Sequence, residues 1–572
     1  MKKLATLILA AGMVFGAATG ASAIDFKAKG QWIMSFDYGE GGNFVGGYRY
    51  SSPTGWNGSK DAFEATQRIR LQLDAVASES LSGTVYFEIG DTTWGQTSSG
   101  GALGADQTII ELKQAYIDWM IPETDAKVRM GIQNISLPSY TIGSSTVMDD
   151  DAAGIVVSGQ VNEMIGITGM WFRPFNDNYL GWNTKDGDAN VYGRNRHKNG
   201  WRTGFMDNMD AFALLVPITL DGAKITPWGM YATIGPNTFR SGDVNTHRSY
   251  DDAMVDGRAP DYFGNLALSG PSAYASRGLF PVAGSRHKDF SPAASKLNNP
   301  GNGWWGGITG DITAFDPFRF AFDFTYGSIE WQDNGRLNRQ GWLASVLFEY
   351  KLDNEWGIPG IYGWYGSGDD NDPANGSERL PTISANNTNQ FSRFAFNGDP
   401  YIARDGVISN GNMGGTWGVG VRLKDMSFVE NLKHTLRINY MGGTNAPSMG
   451  KKMSLNGLWF NGMTLDGYDF HGKTIGGFTD LTSTGTPTGA YTATSNMGID
   501  GTYLTTMDQA LEFGLTNTYK MYDNFTINVE ADYVAMFLDT SKSVWGARHR
   551  NNQSIPSTKD AWNINASFVY QF

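Results

Sequence analysis

Apolar and polar residues alternate one for one through segment after segment of this chain. In Ala561–Phe572, Trp562, Ile564, Ala566, Phe568, Tyr570 and Phe572 share one parity. Asn563, Asn565, Ser567 and Gln571 share the other, with Val569 the exception. Successive side chains of a strand point to opposite faces, so this period of two predicts a strand with one apolar and one wet face. Arg68, Arg70, Gln72 and Asp74 likewise oppose Ile69, Leu71, Leu73 and Ala75. Phe320, Phe322 and Phe324 oppose Arg319, Asp323 and Thr325, and Phe525, Ile527 and Val529 oppose Thr526, Asn528 and Glu530.

The same pattern predicts strands near 30–38, 65–75, 84–89, 111–119, 127–133, 152–160, 163–172, 210–219 and 223–233. It continues near 303–315, 318–329, 338–352, 357–366, 413–425, 432–443, 507–521, 524–538 and 559–572. That makes about 18 strands, with about 16 the alternative because weak segments such as 210–219 could be split wrongly. In 111–119, Glu111 and Lys113 share the parity of Ala115, Ile117 and Trp119. Their place is left open between a position above a bilayer and a subunit contact.

The connectors alternate in length. Leu220-Asp-Gly-Ala223, Phe315-Asp-Pro317, Asp353-Asn-Glu355 and Tyr522-Asp-Asn524 read as hairpin turns. The intervening ones, roughly 173–208, 235–301, 367–412 and 444–505, are long, polar and rich in glycine. Structureless loops of that length are uncommon inside a compact soluble domain. Short turns on one rim and long loops on the other are the pattern of a transmembrane antiparallel β-barrel with short periplasmic turns and long extracellular loops. A soluble sandwich has no reason to gather its long loops at one end. No plug domain precedes the first strand, and the strands are too few for a 22-stranded plugged transporter, so an open aqueous pore is expected.

Composition agrees with an exported all-β chain. Its 572 residues include 73 Gly, 20 Pro, no Cys, 13% aromatic and 18% charged residues. Lys2 and Lys3, the apolar run Leu4–Gly20 and the small residues Ala21-Ser22-Ala23 form a signal peptide over residues 1–23. The barrel domain is then 24–572. Beyond it no run of about 18 apolar residues occurs that could cross a membrane as a helix. The net charge of −13 becomes about −15 without Lys2 and Lys3, which argues against nucleic-acid binding.

The last residues resemble a known signal. A strand ending on Phe568, Tyr570 and a terminal Phe572 is similar to the one that bacterial outer-membrane barrels present to their assembly machinery. Gly131-Ile-Gln133, leading into a stretch that closes Asp149-Asp150-Asp151-Ala-Ala-Gly154, resembles the outer-membrane homotrimeric porin family of sulfate-reducing bacteria. The Leu112–Trp119 segment, the signal peptide and Phe572 fit the same pattern, over the whole chain but through short motifs.

This resemblance implies a bacterial outer-membrane location and a homotrimer in contact with lipid. Residues 133–152, the third long-side loop, would fold into the barrel. Asp149, Asp150 and Asp151 would then lie at a constriction, across from Arg68, Arg70, Arg129, Arg422 and Arg437 on wet strand faces. Opposed charges in a narrow passage make a transverse field that favours hydrophilic solutes. The plainer reading is that the three Asp residues solvate a loop end. Small outward residues Ala28, Gly30, Ala65 and Ala75 would permit walls of neighbouring copies to approach.

Catalysis finds little support. Six His residues show no metal-ligand spacing, and no Ser-His pair is singled out by the periodicity. Asp369-Asp-Asn-Asp372 with Asn375 and Glu378 could bind Ca²⁺ but lacks EF-hand spacing, so an exposed acidic loop is the plainer reading. No cofactor and no metal are expected. The expected function is passive diffusion of small hydrophilic solutes and ions. A channel selective for sugars or organic acids is the first alternative, and a barrel enzyme or adhesin the second.

Overall fold

A computed structural model describes residues 24–40, 45–46, 62–97, 100–104, 110–175, 209–235, 278–279, 299–332, 335–372, 374–385, 391–392, 413–455, 504–545, 557–558 and 560–572. The signal peptide expected over 1–23 lies outside them.

Eighteen antiparallel strands close into one barrel. They are β1 (Asp25–Glu40), β2 (Ala62–Ser78), β3 (Leu81–Thr93), β4 (Ile110–Met120), β5 (Lys127–Ser136) and β6 (Met148–Gln160). Next come β7 (Gly166–Phe175), β8 (Met209–Leu215, resuming as Ile218–Leu220), β9 (Ala223–Ile234), β10 (Gly301–Ile312), β11 (Phe318–Trp331) and β12 (Arg339–Tyr350). The last are β13 (Ile358–Gly366), β14 (Thr416–Val429), β15 (Leu432–Gly443), β16 (Gln509–Tyr522), β17 (Phe525–Phe537) and β18 (Ala561–Gln571). The segment at 210–219 is thus a single strand interrupted at Pro217, which has no N–H to donate to the ladder.

Closure falls between the ends of the chain. β1 pairs with β2 on one side and with β18 on the other, Gln31 opposite Gln571 through Glu40 opposite Trp562. Gly30 and Phe572 exchange backbone hydrogen bonds of 2.8 and 3.0 Å. A Cβ on Gly30 would meet the Phe572 ring at 2.5 Å, so the glycine is the seat of the terminal ring. One of the small outward residues is therefore covered by the chain's own carboxyl end.

Outside, the wall is layered. Toward the short turns, aromatic rings gather as Phe318 with Phe348 and Tyr350, Trp356 with Phe428, and Tyr570 with Phe572. Toward the long loops a second ring contains Tyr38 with Trp562, Tyr231 with Trp304, Trp342 with Tyr365, and Trp417 with Tyr440. Val346, Ile361, Val419, Val421, Leu436, Leu515, Val529 and Ile564 stand exposed on outward parities between them. Two aromatic girdles around an apolar band, on a sheet with no free edge, form a wall that spans a bilayer. Among the described residues no helix is long and apolar enough to cross a membrane.

The short turns lie at one rim together with the start of β1 and the end of β18. At the turn between β8 and β9, Gly222 adopts φ +67° and packs on Ala314, where a Cβ would come within 2.6 Å of backbone. The long connectors lie at the other rim.

Phe322 lies on the outward face and covers Gly310. Phe322→Arg should cost about 2–4 kcal/mol if this position is near the bilayer midplane. Equilibrium unfolding by denaturant in lipid vesicles measures it, and an unchanged midpoint would contradict the outward assignment.

Candidate functional site: the barrel lumen and its infolded loops

The ladder between β5 and β6 runs up to Ser136 opposite Asp149, so the third long-side loop, L3, comprises only residues 137–147. L3 turns inward and docks on the far wall. The carboxylate of Asp323 on β11 accepts from the Tyr140 N–H at 2.9 Å, the Thr141 N–H at 3.0 Å and the Ser139 hydroxyl at 2.7 Å, and also from the Thr141 hydroxyl. That hydroxyl lies 2.6 Å from Ser345 on β12, and the Tyr140 hydroxyl lies 3.2 Å from Thr226 on β9. Arg319 donates to the Tyr140 carbonyl at 3.2 Å, and the Lys224 ammonium lies 5.6 Å from the centre of the Tyr140 ring. One buried carboxylate with four donors from three consecutive residues fixes the tip of the loop.

A second loop, L7 (367–415), meets L3 inside the barrel. Ser384–Ala385 pairs in parallel with Met148–Asp149, and Ile383 donates to the Val147 carbonyl at 2.9 Å. Arg339, fully buried, donates to the Arg379 and Leu380 carbonyls at 3.2 and 2.9 Å, and the Trp305 indole donates to the Pro381 carbonyl at 2.9 Å. Phe391 stacks on Tyr362 with ring centres 4.2 Å apart, and its carbonyl accepts from Tyr362 and Asn439. The wall under these loops is apolar on its inner face: Trp228, Met230, Trp305, Ile329, Leu343, Leu347, Tyr362 and Trp364 are buried there. Loop backbone covers this surface, so it does not face water.

The remaining inner wall is polar and cross-linked by charge. Arg319 binds Asp311 at 2.8 Å and Glu349 at 2.7 Å, and Glu349 also holds Arg422 at 2.6 Å. Arg437 donates to Thr516 at 2.9 Å and lies 3.9 Å from Asp532, while Asn439 donates to Glu512 at 2.8 Å. Arg70 pairs with Glu88 at 2.6 Å. Arg129 grips Asp118 with two bonds of 2.6 and 2.8 Å and covers the Tyr116 ring. Arg68 is buried on the inner face opposite Ile33. Ser35, Asn563, Asn565 and Ser567 complete the polar lining across the seam of the barrel.

The structure places the acidic triplet at the start of β6, just past L3. Asp150 has the inward parity of Met148 and Ala152 and accepts from Ser384 at 2.8 Å, so it ties L7 to the wall. Asp149 and Asp151 have the opposite parity. Asp149 accepts from Asn134 at 3.1 Å and Ser144 at 2.8 Å, and Asp151 from Lys113 at 2.8 Å and Gln114 at 2.6 Å. Lys113 is thereby placed at the long-loop end of the outer face. None of the five arginines singled out from the sequence is ion-paired with the triplet. For Arg70, Arg129, Arg422 and Arg437 the nearby carboxylate belongs to the wall. Asp323, Arg319 and Glu349 escaped the sequence reading as site residues. Only the inward parity of Arg319 and Asp323 on β11 marked them, and that parity says nothing about which loop comes to rest there.

The acidic stretch of L7 spends its oxygens on its own turn. Asp370 accepts from the Asp372 amide and Asn375, Asp372 from the Ala374 amide, Glu378 from the Asp370 amide, and Asp369 from Ser377. Among the described residues no group of three His, Cys, Asp or Glu side chains could hold a metal ion. His434 meets Asn517, and the other five His residues lie outside the described residues. Burial pushes the Glu378 carboxyl up from its ordinary value. It does the same to Asp508, which joins the β15–β16 and β17–β18 loops through Thr505, Asp539 and Trp545. A raised value in the docked loop means that docking is favoured below that range and weakens as pH rises through it.

A scan against protein-family models finds no match, and a search of curated proteins finds none either. Solved structures with similar chain paths include OpdQ of Pseudomonas aeruginosa, at 10% identity and TM-score 0.44, covering 96% of this chain and 98% of that one. OccAB3 of Acinetobacter baumannii aligns at 8% identity and TM-score 0.44, covering 96% and 100%. OmpT, an outer membrane protein of Vibrio cholerae, aligns at 8% identity and TM-score 0.35, covering 96% and 99%. The barrel assignment rests on the strand pairing of this chain and not on these likenesses.

Asp323→Ala removes the acceptor shared by the L3 tip and leaves two backbone N–H groups unpaired, at a cost of about 1–3 kcal/mol each. The loop should come away from β11 with the barrel intact. Single-channel current should become larger and noisier, while an unchanged, quiet current would show that Asp323 does not hold the aperture.

Proposed function

We propose that this chain is an outer-membrane porin, a water-filled channel through which small hydrophilic solutes and ions diffuse passively. The observation that carries this reading is a closed barrel, apolar outside and polar along much of its lumen, with one loop pinned across the interior by Asp323. A fixed loop inside a polar lumen sets a size limit without any moving part or energy source. The partly exposed pairs Arg319–Asp311, Arg70–Glu88 and Arg129–Asp118 line the path and favour hydrated solutes over apolar ones. No catalytic step enters this account.

The constriction lies between L3 with its L7 partner and the charged wall across from them. Of the acidic triplet, Asp150 takes the lumen side, while Asp149 and Asp151 with Lys113 stay at the outer rim. Arg319, Arg129 and Arg70, 25–30% exposed on the inner wall, supply the positive charge within reach of a solute, while Arg68, Arg422 and Arg437 are buried in the wall and brace it. The Gly131–Gly154 likeness to the homotrimeric porins of sulfate-reducing bacteria supports a trimer, and Phe568, Tyr570 and Phe572 serve as the assembly signal. A sugar-selective channel is less well supported by the aromatic residues. Tyr362, Trp364 and Phe391 are at most 4% exposed, so none of these three rings offers a face to a passing sugar.

Two measurements test this. Vesicles containing the protein should swell in small neutral sugars at rates that fall smoothly with solute size, and saturation would favour the selective alternative. In a salt gradient, Asp150→Asn should move the reversal potential toward anions, and Asp149→Asn with Asp151→Asn should leave it nearly in place. Equal shifts from all three would contradict the assigned parities.

A further inference from the structure

The outer wall is not uniformly filled. Across β7 to β10 one row reads Gly169, Leu214, Gly229, Gly306, each directly opposite the next. A Cβ would meet nothing within 4 Å at Gly169, and only a backbone oxygen at 3.9 Å on Gly229 and 3.8 Å on Gly306. The paired glycines of β9 and β10 therefore expose bare backbone, the floor of a groove of about 540 Å³. Phe212 and Leu214 wall one side, the Tyr231–Trp304 ring pair closes the long-loop end, and Pro227 lies toward the short turns. Its outward lining is apolar, and Leu214 and Trp304 remain more than half exposed.

The rows above the groove match the profile of one bilayer leaflet. The next outward row is aromatic: Trp171, Phe212, Tyr231 and Trp304. The row beyond it is polar: Arg173, Asp210, Thr233, Asn302 and Glu330. The groove thus begins where hydrocarbon begins, directly under the girdle on the long-loop side. Tyr326 stands on the other flank, opposite Gly306, and beyond it Trp342 stacks on Tyr365 at 5.2 Å. These rings project past the glycine floor. They hold a second barrel wall away from it, whereas a single acyl chain is thin enough to enter.

We propose that this groove is a lipid site, filled by one acyl chain of an outer-leaflet lipid whose headgroup lies at the polar row. The proposal rests on the membrane-barrel reading above. Among the described residues the cation of this row, Arg173, is held in a closed pair with Asp210 by two bonds of 2.8 and 3.0 Å. The chain, more than the headgroup charge, is what the site recognises. Leu214 and the two glycines determine its fit.

The test is native mass spectrometry of the full folded barrel, delipidated in detergent and then given dipalmitoyl phosphatidylethanolamine. The wild type should retain one lipid per chain, and Gly306→Leu, which fills the floor, should retain it at least about tenfold less well. Gly229→Ala with Gly306→Ala is the gentler variant if Gly306→Leu does not fold, as judged by heat-modifiable migration. Equal retention by wild type and variants overturns the proposal. So does a loss of subunits from the assembly with lipid retention unchanged, which would make the groove a contact between copies. Single-channel current from the same preparation separates the two readings. Current without retained lipid removes the lipid site and leaves the channel, and retained lipid without current supports the lipid site and removes the channel.

Discussion

Every backbone N–H and C=O that enters hydrocarbon must find its partner within the protein, because no water is there to supply one. A sheet meets that demand only by having no edge. Here the demand is met at one seam, where β1 accepts β18 and the terminal Phe572 seats on Gly30. The rest of the molecule follows from that closure. Once the wall is a ring, every strand has an outside that meets lipid and an inside that does not, and alternating side chains sort themselves accordingly. With β1 starting and β18 ending at the short-turn rim, the long connectors leave the strands at the other rim, and L3 and L7 turn back into the lumen.

The lumen is not one environment. Where L3 and L7 dock, the inner wall is apolar and buries tryptophan, leucine and methionine under loop backbone. Elsewhere it is polar and laced with arginine–carboxylate pairs. Such pairs add little net stability, since desolvation and solvent screening offset much of the attraction. Their use here is positional: the partly exposed Arg70, Arg129 and Arg319 are held on the inner wall, and the buried Arg422–Glu349 pair braces it. The loop that narrows this path is held by a carboxylate and its donors, not by a broad apolar contact alone.

Strand number, facing and rim assignment were legible in the sequence because a one-sided wall imprints a period of two. Phe320, Phe322 and Phe324 against Arg319 and Asp323 could be read without coordinates. The period weakens at β8, Met-Asp-Ala-Phe-Ala-Leu-Leu215, for a physical reason: its inward Ala211, Ala213 and Leu215 are covered in the lumen while Phe212 and Leu214 face outward, so both parities are apolar. The site was less legible. The acidic triplet stood out as a run of like residues, yet alternation sends its members to opposite faces. Asp323 looked like any wet-face residue of β11. Its partners lie more than 180 residues away in sequence, and no local pattern encodes that meeting.

The most direct test of the central claim is the current through single molecules of the purified, heat-modifiable barrel in a planar lipid bilayer. A water-filled channel predicts discrete ohmic steps whose size follows the conductivity of the bathing salt. Correctly folded protein that inserts and carries no current would contradict it.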